Sequence, residues 1–142
     1  AAVRVSFDLH ESIEMIPSFF NLTRVHNYGA AFGFMNAADF PYKPLVLSIV
    51  AVFALGTLTW YGATLPADQR LARIGLTLIV GGAAGNLIDR IASGYVVDFV
   101  DLYWRDWHFW AFNVADAAIT VGVSLMILDL LKIGRNRVSR AV

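Results

Sequence analysis

The chain has 142 residues, of which 58% are hydrophobic and only 15% are charged, and it contains no cysteine. Ordinary soluble domains carry about 25% charged residues, so this composition indicates a lipid-embedded protein. The lack of cysteine excludes disulfides, thiolate metal ligands and a cysteine nucleophile. Basic and acidic side chains balance at 11 each, which gives no indication of a nucleic-acid partner. The length predicts one domain over residues 1–142.

The first 43 residues differ from the rest in their scattered charges and in their glycines and prolines. β-type residues occur in short runs broken at Asn27 and Gly29, which predicts short strands and a turn. We expect residues 11–43 to form a cap outside the membrane, on the lipid surface, and to close over the site as a lid.

Three apolar segments follow. No charged residue occurs between Pro44 and Ala67, a run of 24 positions, and about 20 helical residues cross a bilayer. The segment from Ile74 to Ile88 is uncharged for 15 residues, and flanking arginines can extend it. The predicted spans are residues 44–66, 71–91 and 112–132. Residues 92–111 are predicted to form an interfacial loop or amphipathic piece, and residues 133–142 a cytoplasmic tail.

The basic residues predict the orientation of these spans. Loop 66–73 and the tail from Lys132 carry six basic residues in about 20 positions, whereas residues 1–43 and 90–111 carry five in about 65. The positive-inside rule therefore places the first pair in the cytoplasm. Three spans then leave Ala1 outside, so we expect a further membrane helix in front of it.

Candidate catalytic residues lie where the second and third spans meet the outer surface. Asn113, Asp116 and Thr120 are spaced i, i+3 and i+7, which places them on one helix face. Asp98 lies in the alternating run 95–101, a strand or an interfacial turn, and topology returns that run toward Asp116. Two adjacent carboxylates cannot both ionise cheaply, so one holds a proton while the other acts as a base. Such a pair can hydrolyse an amide.

Plainer explanations apply to several of these residues. The stripe containing Asp116 could be a hydrogen-bonded staple between helices, and Asp98 could be an exposed loop carboxylate. Asp89 and Arg90 fit a boundary pair at the end of the second span. Asn86 could hydrogen-bond a carboxylate. The aromatic residues between Trp104 and Phe112 fit an interfacial belt better than a ligand-binding box.

Other classes of site are poorly supported. Zinc-protease and serine-hydrolase motifs are absent, and the three histidines lack metal-ligand spacing, so we expect each histidine to be a surface or hydrogen-bonding residue and not a metal ligand. Gly81, Gly82 and Gly85 provide a GxxxG spacing, which predicts close helix packing. A proton-coupled transporter would distribute its carboxylates through the membrane depth, and a membrane scaffold would leave them unexplained.

Four segments, NYGAAFGF (27–34), GGAAGNLIDR (81–90), VVDF (96–99) and FNVADAAITVG (112–122), resemble the lipoprotein signal peptidases, or signal peptidase II. The resemblance extends from about Glu11 to Leu131, with the four motifs in order. It implies a helical membrane protein, predicted here as all-α, with four spans in the family and three in this chain, and a small extracytoplasmic β-cradle.

The resemblance also implies an activity. It implies an aspartic endopeptidase of the bacterial inner membrane, active at the periplasmic surface, that removes signal peptides before a diacylglyceryl-modified cysteine. Asp98 and Asp116 match the catalytic pair, and the matching supporting residues are Asn27, Asn86, Asp89, Arg90 and Asn113. The expected partners are the prolipoprotein substrate and membrane lipid, and the expected state is a monomer. The resemblance implies no metal or organic cofactor, and it leads us to expect that the family's first membrane helix precedes Ala1.

Overall fold

A computed structural model of the chain describes residues 7–29 and 40–140, with side chains described up to Leu131. Residues 30–34 of the first resembling motif lie outside the described residues. So do residues 30–39 of the predicted cap and the side chains of the predicted tail.

Three helices within the described residues are long and apolar enough to cross a membrane. They are α1 (Lys43–Thr64), α2 (Arg70–Ser93) and α3 (Val114–Arg140), the last of which is apolar as far as Leu131. In α2, 39% of the most apolar window is buried in the structure, against 0% in α1 and 6% in α3, so α2 is the central helix. A small core of Leu65, Ala72 and Leu76 forms between α1 and α2. The three apolar helices predicted from the sequence are confirmed.

Helices α2 and α3 approach one another through glycines. A Cβ atom at Gly75 would lie 2.6 Å from the carbonyl oxygen of Gly122, and one at Gly122 would lie 2.4 Å from that of Gly75. A Cβ atom at Gly82 would lie 2.4 Å from the carbonyl oxygen of Ala115. At Gly81, by contrast, no atom lies within 4 Å of such a Cβ. Close helix packing therefore depends on Gly82 of the predicted motif, together with Gly75 and Gly122, and not on Gly81.

This contrast between neighbouring glycines yields a stability prediction. Gly82→Ala should lower the free energy of unfolding by about 1–3 kcal/mol, because its methyl group overlaps backbone that cannot move alone. Gly81→Ala is the matched control and should leave stability unchanged or raise it by up to about 1 kcal/mol, since alanine favours helix. Thermal unfolding in detergent measures both. Equal midpoints for the two variants would contradict this account of the contact.

A four-stranded antiparallel sheet lies at the end of the bundle where α2 ends and α3 begins. Its order is β1 (Ser12–Ile16), β2 (Phe20–Asn27), β3 (Val96–Trp104) and β4 (Trp107–His108). The description "all-α" is therefore incomplete, because the predicted cap and the predicted loop 92–111 contribute strands to one sheet. The alternating run at Asp98 forms a strand.

The connection from α2 into β3 places Asp98 inside the protein. Gly94 ends α2 with a φ of 79°, a left-handed conformation that glycine adopts without steric cost. Its amide donates to the carbonyl of Arg90 at 2.8 Å. The strand then starts with Val96, Val97 and Asp98, which are only 1%, 7% and 2% exposed. The register between β2 and β3 shifts between Leu22 and Val25, a type of irregularity that re-aims side chains next to functional sites.

Candidate active site

The start of α3 is organised by the side chain of Asn113. Its Oδ1 accepts hydrogen bonds from the backbone amides of Ala115 at 2.7 Å and Asp116 at 3.1 Å. These are amides of the first helical turn, which have no partner within the helix. Because the oxygen is held by the helix, the amide nitrogen of Asn113 must point the other way, into the protein.

The amide nitrogen of Asn113 bonds Asp98 and Asn86 directly, and through Asn86 it is connected to Asp116. It donates to Oδ1 of Asp98 at 2.8 Å and to Oδ1 of Asn86 at 3.2 Å. Asn86, on α2, in turn donates from Nδ2 to Oδ1 of Asp116 at 2.8 Å. The backbone amide of Asn113 donates to Oδ2 of Asp116 at 3.2 Å. Asp98 and Asp116, which are distant in sequence, therefore lie on either side of one asparagine.

Asn27 completes the cluster from the end of β2. Its Nδ2 donates to Oδ2 of Asp98 at 3.0 Å, while its Oδ1 accepts from the amide of Gly29 at 2.9 Å. Val25 is the register partner of Asp98, so Asn27, two residues later, projects from the same sheet face. The bond to Gly29 determines which end of the Asn27 amide faces Asp98.

Each of the four carboxylate oxygens of Asp98 and Asp116 thus accepts one hydrogen bond from an N–H group. The donors are the side chains of Asn27, Asn86 and Asn113 and the backbone amide of Asn113. A carboxylate oxygen has two lone pairs. Within the described part of the chain each oxygen has one such bond, so its second lone pair can accept a proton, a water molecule or a substrate group.

The electrostatics distinguish Asp98 from an ordinary carboxylate. Burial raises the pKa of Asp98 from 3.8 to about 6; hydrogen bonds from Asn27 and Asn113 oppose this rise, and the charge of Asp116 adds to it. Arg90 lowers the pKa by attraction. Asp98 therefore holds a proton more readily than an exposed aspartate, which is the property that an acid partner in a carboxylate pair requires.

Arg90 and Asp89 have different positions in the site. Arg90 donates from one guanidinium nitrogen to the carbonyl of Gly29 at 2.8 Å and from the other to that of Asn86 at 3.4 Å. It therefore ties α2 to the segment that carries Asn27. Asp89 is half-buried on the same helix, and the bonds that join the two aspartates to the asparagines do not involve it.

A groove of about 330 Å³ opens beside the two aspartates. One wall is the segment Phe109–Phe112, and the other is α3 from Asp116 to Val121, including the exposed Thr120. Asn27 and Asp98 also line it. Most of the lining side chains are apolar, so the groove suits an apolar ligand whose polar part meets the carboxylates.

The aromatic run predicted as an interfacial belt divides into two parts. Trp104 and Trp107 are exposed in the β3–β4 hairpin, at 67% and 65%. Phe109, Trp110 and Phe112 line the groove instead. The two groups cannot be told apart in the sequence. They differ because the backbone after β4 turns toward the groove. Asp101 and His108 are hydrogen-bonded to one another, a partnership that the sequence motifs do not indicate.

The fold and site are those of a multi-pass membrane protein with a carboxylate pair, one member buried and the other half-buried, at one end of its helices. Comparison with known proteins identifies the family. A family model described as signal peptidase (SPase) II matches residues 1–132. A lipoprotein signal peptidase of Geobacter sulfurreducens is 46% identical over 93% of this chain and 81% of its own. Another, of Shewanella loihica, is 49% identical over 89% of this chain and 74% of its own.

Solved structures agree with the sequence relatives. A bacterial membrane enzyme superposes with a TM-score of 0.83 at 33% identity, covering 94% of this chain and 79% of its own. A second bacterial membrane enzyme gives 0.82 at 30% identity, covering 92% and 81%. The chain belongs to the signal peptidase II family, and it is a protease of the membrane. The family predicted from the sequence motifs is confirmed.

Proposed function

We propose that this protein is an aspartic endopeptidase that removes the signal peptide from diacylglyceryl-modified prolipoproteins, cutting just before the lipidated cysteine. The observation that supports this most directly is the pair Asp98 and Asp116, whose four oxygens are all hydrogen-bonded, at the end of an apolar groove. The names of the relatives support the prolipoprotein substrate.

The chemistry follows from the different surroundings of the two carboxyl groups. Asp116, as the carboxylate, accepts a proton from a water molecule, and the water oxygen forms a bond to the scissile carbonyl carbon. Asp98, whose pKa burial raises to about 6, donates its proton to the carbonyl oxygen. When the tetrahedral intermediate collapses, the C–N bond breaks and the leaving nitrogen takes the proton that Asp116 holds. At the same time one hydroxyl group of the intermediate returns a proton to Asp98 and becomes the carbonyl of the new carboxylic acid, so both aspartates recover their starting states. No covalent intermediate forms.

The asparagines contribute orientation. Asn113 holds the two carboxyl groups on either side of itself, while Asn27 and Asn86 each hold one of them. Groups held in productive geometry avoid the entropic cost of bringing them together in the transition state. Arg90 supports Asn27 indirectly through its bond to Gly29.

The membrane explains the demand for a lipidated substrate. The site lies where α2 ends and α3 begins. The distribution of basic residues supports a position for this end on the non-cytoplasmic side, which in the proposed function is the periplasmic face of the bacterial inner membrane. The acyl chains of the substrate stay in the bilayer, and the apolar signal segment occupies the groove beside the aspartates. The scissile bond next to the lipidated cysteine is thereby delivered to the pair.

A transporter is the alternative from another class. It would need polar groups through the depth of the membrane. The hydrogen-bonded carboxylates and amides at the site concentrate at one end of α2 and α3 instead, which favours the protease.

Product analysis tests the proposed function. The purified protein in detergent should cleave a prolipoprotein peptide whose cysteine carries diacylglycerol, and mass spectrometry should find that cysteine at the new amino terminus. The same peptide without the lipid is the control, and its kcat/KM should be lower by at least about 100-fold, because the lipid supplies binding energy that places the scissile bond. Equal cleavage of the two peptides, or a cut elsewhere, would contradict the proposal.

A further inference from the structure

A connected row of side chains crosses all four strands on the back face of the sheet, the face opposite Asp98. This back-face row consists of Glu14 on β1, Asn21 on β2, Asp101 and Tyr103 on β3, and His108 on β4. Asp101 and Tyr103 lie an odd number of positions from Asp98, so their side chains project away from the aspartate pair.

The contacts of the row centre on His108. Its Nδ1 lies 3.0 Å from both carboxylate oxygens of Asp101, and its ring stacks on Tyr103 with centroids 5.1 Å apart and planes 12° apart. Asn21 donates from Nδ2 to Oδ2 of Asp101 at 3.0 Å, and the hydroxyl of Tyr103 bonds Glu14 at 2.5 Å. The side-chain exposure of Asp101 is only 14%, whereas that of His108 is 54%. Asp101 is therefore a sheltered, fixed partner for a more exposed histidine.

The segment that follows His108 is the groove wall Phe109–Phe112. Its ends are joined to β3 by backbone bonds: the amide of Phe109 donates to Leu102 at 2.8 Å, and Phe112 exchanges two bonds with Val100 at 2.8 and 3.0 Å. Between these points, residues 109–111 are not in a strand. The strand that leads into the wall, β4, has only two residues.

A two-residue strand has few backbone bonds to hold its position, and the side chain of His108 adds two contacts at the point where the wall begins. Movement of His108 away from Asp101 would shift Phe109 and Trp110 relative to α3, because they follow directly in the chain. Those aromatic residues line the groove. Loss of the bond between His108 and Asp101, on the other face of the sheet, would therefore change the width of the groove.

We propose that His108 is a positioning residue: through its contacts with Asp101 and Tyr103 it sets the groove wall Phe109–Phe112 at the distance from α3 that fits the apolar segment of the substrate. This role rests on the proposed function, in which that segment occupies the groove. His108 touches neither aspartate of the pair, so its effect is on substrate binding and not on the chemical step.

Steady-state kinetics with the lipidated peptide test this role. His108→Ala should raise KM by about 5- to 10-fold, the size of the net contribution of one ordinary hydrogen bond, and should change kcat by less than about twofold. A contact that stabilises the bound substrate and the transition state equally affects KM and leaves kcat unchanged when it is lost. His108→Asn can still donate to Asp101 and should recover most of the KM, whereas His108→Phe retains only the stacking and should recover less. Asp106→Asn, an exposed change in the same hairpin, is the matched control.

Amide exchange provides a second measurement. The amides of residues 109–112 should exchange faster in His108→Ala than in the wild-type protein and should be unaffected in Asp106→Asn. If His108→Ala does not fold, the comparison of His108→Asn with His108→Phe decides, and equal KM values for those two variants overturn the role. An unchanged KM in His108→Ala, or a loss confined to kcat, overturns it as well.

The same assay separates this role from the proposed function. If Asp116→Asn abolishes cleavage while His108→Ala leaves KM unchanged, only the positioning role fails. If Asp116→Asn cleaves normally, the proposed carboxylate pair fails, whatever the result for His108.

Discussion

Replacing either Asp98 or Asp116 with asparagine should reduce kcat by at least about 1000-fold, because an amide can neither accept the proton of the attacking water nor donate one to the carbonyl oxygen. At Asp98 a second effect adds to the first. Both of its oxygens meet N–H donors, from Asn27 and Asn113, whose orientations are set by bonds to backbone amides. An asparagine at position 98 would direct its own N–H groups at one of these donors.

Single-turnover cleavage of the lipidated peptide measures this loss, and thermal unfolding checks that the variants fold. Asp68→Asn, an exposed change in the loop before α2, is the control and should keep wild-type activity. The double variant should be hardly worse than either single one, because residues that act as a unit are not additive. Wild-type kcat in either single variant would remove that aspartate from the pair.

Replacing Asn113 with alanine should have the second-largest effect, a fall in kcat of about 100-fold. The substitution removes the donor shared by Asp98 and Asn86, so Asp98 loses one of its two amide partners and the link between the strand and α2 is broken. It also removes the cap of α3, which should lower stability by about 1 kcal/mol. Asn113 is 5% exposed, so water does not replace these bonds freely.

Serine at position 113 separates the two functions of the side chain. A serine hydroxyl caps a helix about as well as asparagine, but it is too short to replace the amide nitrogen that reaches Asp98. Asn113→Ser should therefore recover most of the unfolding midpoint and little of the kcat. Recovery of both would mean that Asn113 acts only as a helix cap.

The local part of the fold was predictable from residue patterns. Uncharged runs of 24 and 15 residues leave few alternatives to membrane helices, because a backbone in lipid must satisfy its own hydrogen bonds. The proximity of Asn113 to Asp116 was also predictable from their spacing, although Asn113 caps α3 and does not lie within it. The motifs around Asp98 and Asp116 sufficed to identify the family, which the comparisons confirm.

The contacts between distant residues were not predictable in the same way. The GxxxG spacing pointed equally to Gly81, Gly82 and Gly85, but the rotation of α2 about its axis brings Gly82 against the backbone of Ala115, whereas no atom lies within 4 Å of a Cβ at Gly81. The aromatic run from Trp104 to Phe112 has a uniform composition, yet only Phe109, Trp110 and Phe112 of its five aromatic residues line the groove. The bond between Asp101 and His108 depends on a hairpin at Arg105, a non-glycine residue with a φ of 56°, which residue composition does not signal.

The sequence by itself thus determined the three apolar helices, the family and the aspartates as candidates, because hydropathy and short motifs are properties of neighbouring residues. Only the tertiary structure decided that Asn27, 71 positions before Asp98, donates to it, and that Asn113 lies between the two carboxyl groups. The physical reason is that a hydrogen bond depends on the direction of its donor. Here that direction is set by backbone amides at Gly29 and at the start of α3, which the folded chain alone brings to the site.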